Sequence, residues 1–137
     1  MSFVMRVSMP SDRRRTRGHR NAMAGLMAEE GVARAYESDG AEILARRCRM
    51  QGGELDIVAR EGDVLVFVEV KRRRAGLGGD CPVGARQWRR LETAAEEYML
   101  RHAQQTGVVP RCRFDLAVTG PDGVSAVIIN ACSAEQY

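Results

Sequence analysis

No run of about 20 apolar residues, the length that crosses a bilayer, occurs in this chain. A membrane span is therefore not expected. Cysteine is sparse: Cys48, Cys81, Cys112 and Cys132 form no C-x-x-C pair, and only His19 and His102 are available to complete a mixed zinc site. That scatter argues against zinc and for reduced thiols in a cytoplasmic protein. The stretch before Pro10 is short and mixed with Arg6 and Ser8, and its main positive run follows the apolar residues, the reverse of a secretory leader. Repeats of solenoid period are absent as well. At 137 residues the chain has little room for a second core, since domains commonly hold about 100–150 residues. With 45% apolar and 28% charged residues it is not a disordered composition.

What is present is unevenly placed charge. The net charge is only +3, yet Arg13, Arg14, Arg15, Arg17 and Arg20 crowd together near the N-terminus. Such a cluster suits a phosphate backbone, an acidic membrane surface or simple solvation of a tail. Residues 1–20 are read as a basic extension and 21–137 as a single domain. Asn21 to Glu37 predicts a helix, with Ala22, Leu26, Ala33 and Tyr36 on one stripe and weak points at Gly25 and Gly31. Ser38-Asp39-Gly40 stops it. Three strands follow, Glu42 to Cys48, Glu54 to Ala59 and Val64 to Arg72, separated by turns at Gly52-Gly53 and Glu61-Gly62-Asp63. The third is near-continuously apolar and β-branched, as expected of a central strand covered on both faces. An open loop rich in glycine (Gly76, Gly78, Gly79, Gly84) leads to a second helix, Gln87 to Gln105, and then to strands Arg113 to Thr119 and Val124 to Asn130. The order α-β-β-β-α-β-β predicts an α/β fold.

Alternation along strands locates the candidate chemistry. Glu54 and Asp56 are expected on one face. Leu65, Phe67, Glu69 and Lys71 share another, with Val64, Val66, Val68 and Val70 opposite. Two charges thus continue an apolar row, and buried charges need partners, a metal or an exit to solvent. The tight turn at 61–63 makes the two strands antiparallel neighbours and carries Asp56 within lateral reach of Glu69. A carboxylate pair of this kind suits Mg²⁺, which prefers hard oxygen ligands and fills its octahedron with water and phosphate. Lys71 on the same face suits orienting water or neutralising a phosphorane-like transition state. The competing arrangement is a salt-bridged hairpin in which Glu69 and Lys71 satisfy each other and Asp56 caps the turn.

The run Gly52 to Arg60, GGELDIVAR, followed by Leu65 to Arg73, LVFVEVKRR, closely resembles the bacterial YraN family, also called UPF0102. The resemblance extends back through Gly25, Glu29, Tyr36, Gly40, Ile43, Leu44 and Arg49, and forward through Leu91, Ala95 and Arg113-Phe114-Asp115. It implies a restriction-endonuclease-like fold of the type shared with archaeal Holliday junction resolvases, whose metal site is written PD-(D/E)-x-K. Asp56, Glu69 and Lys71 occupy those positions, and Glu29 matches the glutamate that the first helix adds to the site. The metal set so implied is Asp56, Glu69 and Val70, holding Mg²⁺ or Mn²⁺ with no organic cofactor. This chain departs from the family pattern at Arg47, where asparagine is usual, and at Gln87, where lysine normally opens the second helix. A phosphate contact that the lysine would make is then either weakened or falls to Arg86, Arg89 and Arg90.

Nucleic acid, DNA before RNA, is the expected partner. Arg72, Arg73 and Arg74 leave the site directly and suit phosphates flanking a scissile bond, as do Arg49, Arg86, Arg89 and Arg90. Trp88 is expected in the core, and Asp115 in a pair with an arginine. The expected function is a Mg²⁺-dependent endonuclease acting on branched or structured DNA. Its alternative is a non-catalytic nucleic-acid-binding module that keeps the fold. A homodimer is expected only by analogy with two-fold resolvases on symmetric junctions.

Overall fold

The first helix, α1, runs His19–Ser38 without a break, so Gly25 and Gly31 are absorbed rather than interrupting it. Its buried stripe is Val32, Ala33 and Tyr36. Leu26, expected on that stripe, is instead 46% exposed, because the N-terminal half of α1, with Met23 and Met27, lies beyond the apolar surface that the helix covers. A computed structural model describes residues 19–72, 83–120 and 123–129. The arginines at 13, 14, 15 and 17, Arg73, Arg74, Cys81, Cys132, Asn130 and most of the glycine loop lie outside the described residues, as does most of the expected basic extension.

The strands are β1 (Glu42–Arg49), β2 (Glu54–Glu61), β3 (Val64–Arg72), β4 (Arg111–Gly120) and β5 (Gly123–Ile128), with α2 (Ala85–Thr106) between β3 and β4. They form one five-stranded sheet in the order β1-β2-β3-β4-β5. β1–β2, β2–β3 and β4–β5 are antiparallel, and β3–β4 is parallel. Parallel pairing follows from chemistry of connection: a helix of 22 residues carries the chain back to the starting edge, whereas a two-residue turn reverses it. Gly62, at φ 62°, supplies the left-handed residue in the Gly62-Asp63 turn that closes Glu61 against Val64.

β3 is central and apolar on both faces, as its sequence predicts. Below α1, Ile57, Ala59, Val66, Val68 and Ala117 pack on Val32, Ala33 and Tyr36. Below α2, Leu55, Val58, Leu65 and Phe67 pack on Leu91, Ala94 and Ala95. Trp88 is half-buried there, edge-on to Phe114 at 6.2 Å. The β1–β2 loop is pressed on α2 so closely that a Cβ at Gly52 would stand 2.8 Å from Thr93 Cγ2 and 3.2 Å from the Ala94 nitrogen. With a mixed sheet and one helix on each face, this is a restriction-endonuclease-like α/β fold.

Candidate active site

The β2–β3 ladder runs from Glu61↔Val64 to Ile57↔Val68. The next position in that register sets Asp56 against Glu69. Beyond the last pair Asp56 Oδ2 accepts the backbone N–H of Val70 at 2.9 Å, so a side chain replaces main chain in the ladder. The Asp56 and Glu69 carboxyls also hydrogen-bond each other. They face a small cleft lined by Leu55, Asp56, Phe67, Glu69, Leu91 and Phe114.

Strict alternation fails in the strand that carries Asp56. Leu55 and Val58, three apart, both pack beneath α2, while Ile57 and Ala59 pack beneath α1. The expected common face for Glu54 and Asp56 therefore has no regular strand to rest on. The irregularity is matched on β1, where Arg46↔Ile57 and Cys48↔Leu55 keep their register around Arg47, a residue at φ 49°. A left-handed backbone costs an L-residue roughly 1–2 kcal/mol. Asparagine tolerates that conformation better than most side chains.

Burial raises the Glu69 pKa to about 8, with the Asp56 charge adding to it and Lys71 opposing it. Asp56 is raised too, mainly by burial, against the stabilising Val70 N–H and the nearby Lys71. Glu29, on α1, is pushed up by burial and by Asp56, with Arg47 opposing. Three carboxylates thus sense one another across α1, β2 and β3. Arg47 Nε lies 3.5 Å from Glu29 Oε1.

Glu69 finds its partners in Asp56 and in Gln87, whose Nε2 donates to Glu69 Oε2 at 2.7 Å, and not in an ion pair with Lys71. The salt-bridged hairpin is thus not the arrangement adopted. Val70 packs its side chain toward the α1 cluster, so only its backbone carbonyl is available as a ligand. Among the described residues no three His, Cys, Asp or Glu side chains converge as a metal cluster. The protein offers two side-chain oxygen donors, a set that fits Mg²⁺, which retains several waters, better than a fully protein-bound metal.

Of the candidate phosphate-binding residues, Arg49, Arg72, Arg86, Arg89 and Arg90 are exposed. Arg49 and Arg72 end β1 and β3, and the other three lie on the first turns of α2. Asp115 pairs with an arginine as expected, Arg113 Nε to Oδ1 at 3.0 Å, but it is wholly buried and also accepts from Tyr36 at 2.6 Å.

Two contributors escaped the sequence. The Gln87 contact depends on where the first turn of α2 lands across β3, which no local pattern encodes. The placement of Arg47 beside Glu29 depends on a backbone irregularity whose only trace is the departure at that position.

Residues 28–119 match the uncharacterised protein family UPF0102. A UPF0102 protein of Ruegeria pomeroyi is 40% identical over 116 residues, covering 85% of this chain and 93% of the relative. One from Azorhizobium caulinodans is 40% identical over 114 residues, 83% of each chain. One from Roseobacter denitrificans is 36% identical over 126 residues, 91% of this chain and 96% of the relative. The match runs through α1, the Asp56 and Glu69 strands and β4, and the chain belongs to the UPF0102 family.

Proposed function

We propose that the protein is a Mg²⁺-dependent endonuclease that hydrolyses phosphodiester bonds in nucleic acid, branched or structured DNA foremost, in the cytoplasm. The observation that carries this reading is the Asp56–Glu69 carboxyl pair, hydrogen-bonded at the point where β2 leaves β3, with Lys71 close enough to oppose both pKa shifts. A structural ion pair would match each carboxylate with a cation. Here two carboxylates share one buried place, an arrangement that costs stability and suits a site awaiting a divalent cation.

Asp56, Glu69 and the Val70 carbonyl would hold the ion, which would supply Lewis acidity toward a phosphoryl oxygen. The chain's own residues do the rest. Asp56 is fixed by the Val70 N–H, and Glu69 by Gln87, so both carboxylates are oriented before substrate arrives. Lys71 places a positive charge where negative charge grows on the phosphoryl oxygens as water attacks phosphorus and the P–O bond to the leaving oxygen breaks. Arg49, Arg72, Arg86, Arg89 and Arg90 are exposed cations suited to the flanking backbone, gripping phosphates without reading bases. Free Cys48 and Cys112 agree with a reducing compartment.

One observation favours a second reading, a nucleic-acid-binding module without turnover: Glu69 and Glu29 already have protein partners in Gln87 and Arg47. A panel of four-way junction, flap, single-stranded and duplex DNA, with RNA counterparts, separates the two. Mg²⁺-dependent cleavage that falls by about 10²-fold or more in Asp56→Ala, Glu69→Ala and Lys71→Ala is expected. Cleavage unchanged by these substitutions sinks the site. Salt-sensitive binding with no cleavage in Mg²⁺ or Mn²⁺ selects the second reading.

A further inference from the structure

Arg46 and Arg47 are neighbours in β1, and in a regular strand their side chains would leave opposite faces. Both instead reach α1. Arg46 pairs with Glu30, and Arg47 with Glu29. The turn of the backbone at Arg47, φ 49°, is what brings the second guanidinium to the same side. A non-glycine residue held in the left-handed region inside a strand points to a constraint beyond sheet formation, and such residues gather at functional sites.

The two ion pairs differ in their surroundings. Glu30 already has Arg34 as well as Arg46, and its side chain is 40% exposed. Glu29 is 19% exposed and electrostatically coupled to Asp56, with Arg47 as its ion-pair partner among the described residues. Arg47 is 46% exposed, so its guanidinium meets Glu29 through Nε and remains open to solvent. In register Arg47 lies between Arg46↔Ile57 and Cys48↔Leu55, directly across from Asp56.

We propose that Arg47 is a substrate-positioning residue: its guanidinium, paired with Glu29, is shared with a phosphate oxygen of the nucleic acid, and a divalent cation on the neighbouring carboxylates shifts it toward the phosphate. This rests on the nuclease reading above. A divalent cation held by Asp56 and Glu69 and the Arg47 guanidinium held by Glu29 are like charges beside one group of linked carboxylates, so each weakens the hold of the other. A guanidinium also has donors to spare, in a fork that matches phosphate oxygens. Arg47 therefore links metal occupancy to substrate grip, which neither Arg46 nor the arginines of α2 are placed to do.

The test is Arg47→Asn, which keeps a residue at ease with the left-handed backbone and so keeps the fold, with Arg46→Asn as the control for loss of charge from the same strand. Calorimetric titration with Mg²⁺ is expected to show binding about two- to fivefold tighter in Arg47→Asn, the scale of losing a half-exposed competing ion pair, and unchanged binding in Arg46→Asn. A fluorescent four-way DNA junction is then titrated in EDTA and in Ca²⁺ across a range of salt. Arg47→Asn is expected to weaken binding in Ca²⁺, with the salt slope reduced by about one, and to match wild type in EDTA. Equal losses in EDTA and Ca²⁺, equal effects of Arg46→Asn, or an unchanged Mg²⁺ affinity overturn the role of Arg47 and leave the nuclease reading standing. A wild type that binds no Mg²⁺ overturns both.

Discussion

Two groups of ionisable residues are buried on opposite parts of the same sheet, and they are built on opposite rules. In one, Asp115 of β4 takes Arg113 at 3.0 and 3.1 Å and the Tyr36 hydroxyl at 2.6 Å, and Arg113 also meets Glu61 at 3.0 Å. Every charge there has an opposite charge or a donor, and the network ties α1 to β2 and β4. In the other, Asp56 and Glu69 face each other with Glu29 nearby; burial raises the pKa of all three, and the Asp56 charge adds to the rise of Glu69 and Glu29. The first group stabilises the frame, and the second is held in place by it. Buried charge that is paired serves structure, whereas buried charge left in excess marks a site that gains most from a cation.

Breaking the paired group should have the largest effect. Asp115→Ala leaves Arg113 and Tyr36 without their shared acceptor, and urea unfolding is expected to show a loss of about 3–5 kcal/mol. The matching change in the excess group, Glu69→Gln, is expected to leave the midpoint unchanged near pH 4.5 and to raise it increasingly as pH rises toward 8. A destabilisation as large as that of Asp115→Ala would erase the distinction between the groups.

The next effect concerns metal affinity. Gln87→Ala removes the donor to Glu69 Oε2 and is expected to weaken Mg²⁺ binding by about tenfold, as loss of a partner that orients a ligand commonly does. Calorimetry checks it, and an unchanged affinity would make the Gln87 contact incidental.

A separate effect is pH dependence. The folded Glu69 pKa of about 8 lies above its ordinary value of 4.5. The folded state then holds more protons than the unfolded state between those values. Stability without metal should be fully present below pH 4.5 as far as this group is concerned, and should fall as pH rises toward 8. The upward shift of Asp56 has the same sign. Melting in EDTA from pH 5.5 to 8.5 should show the decline in wild type and a flatter profile in Glu69→Gln.

Much of this comparison was legible in the chain. The VLVFVEVK run announced a central strand, and the Glu61-Gly62-Asp63 turn made the two strands antiparallel neighbours with Asp56 within lateral reach of Glu69. The α-β-β-β-α-β-β order also stands. Asp115 read correctly as an arginine partner, though its complete burial was hidden. Local pattern failed where backbone regularity failed: alternation across Leu55 to Val58 is broken, and Leu26 is exposed although it lies on the apolar stripe.

By itself, then, the sequence determined which residues are strands, which strands neighbour each other through short turns, and which carboxylates and lysine continue an apolar row. These properties follow from interactions between residues close in sequence, where period and turn geometry leave little freedom. Only the tertiary structure decided that Gln87 reaches Glu69, that Arg47 turns toward Glu29, and that Tyr36 closes on Asp115. Each of those contacts is set by how a helix lies across the sheet or by one left-handed residue within a strand, and packing of the whole chain fixes both.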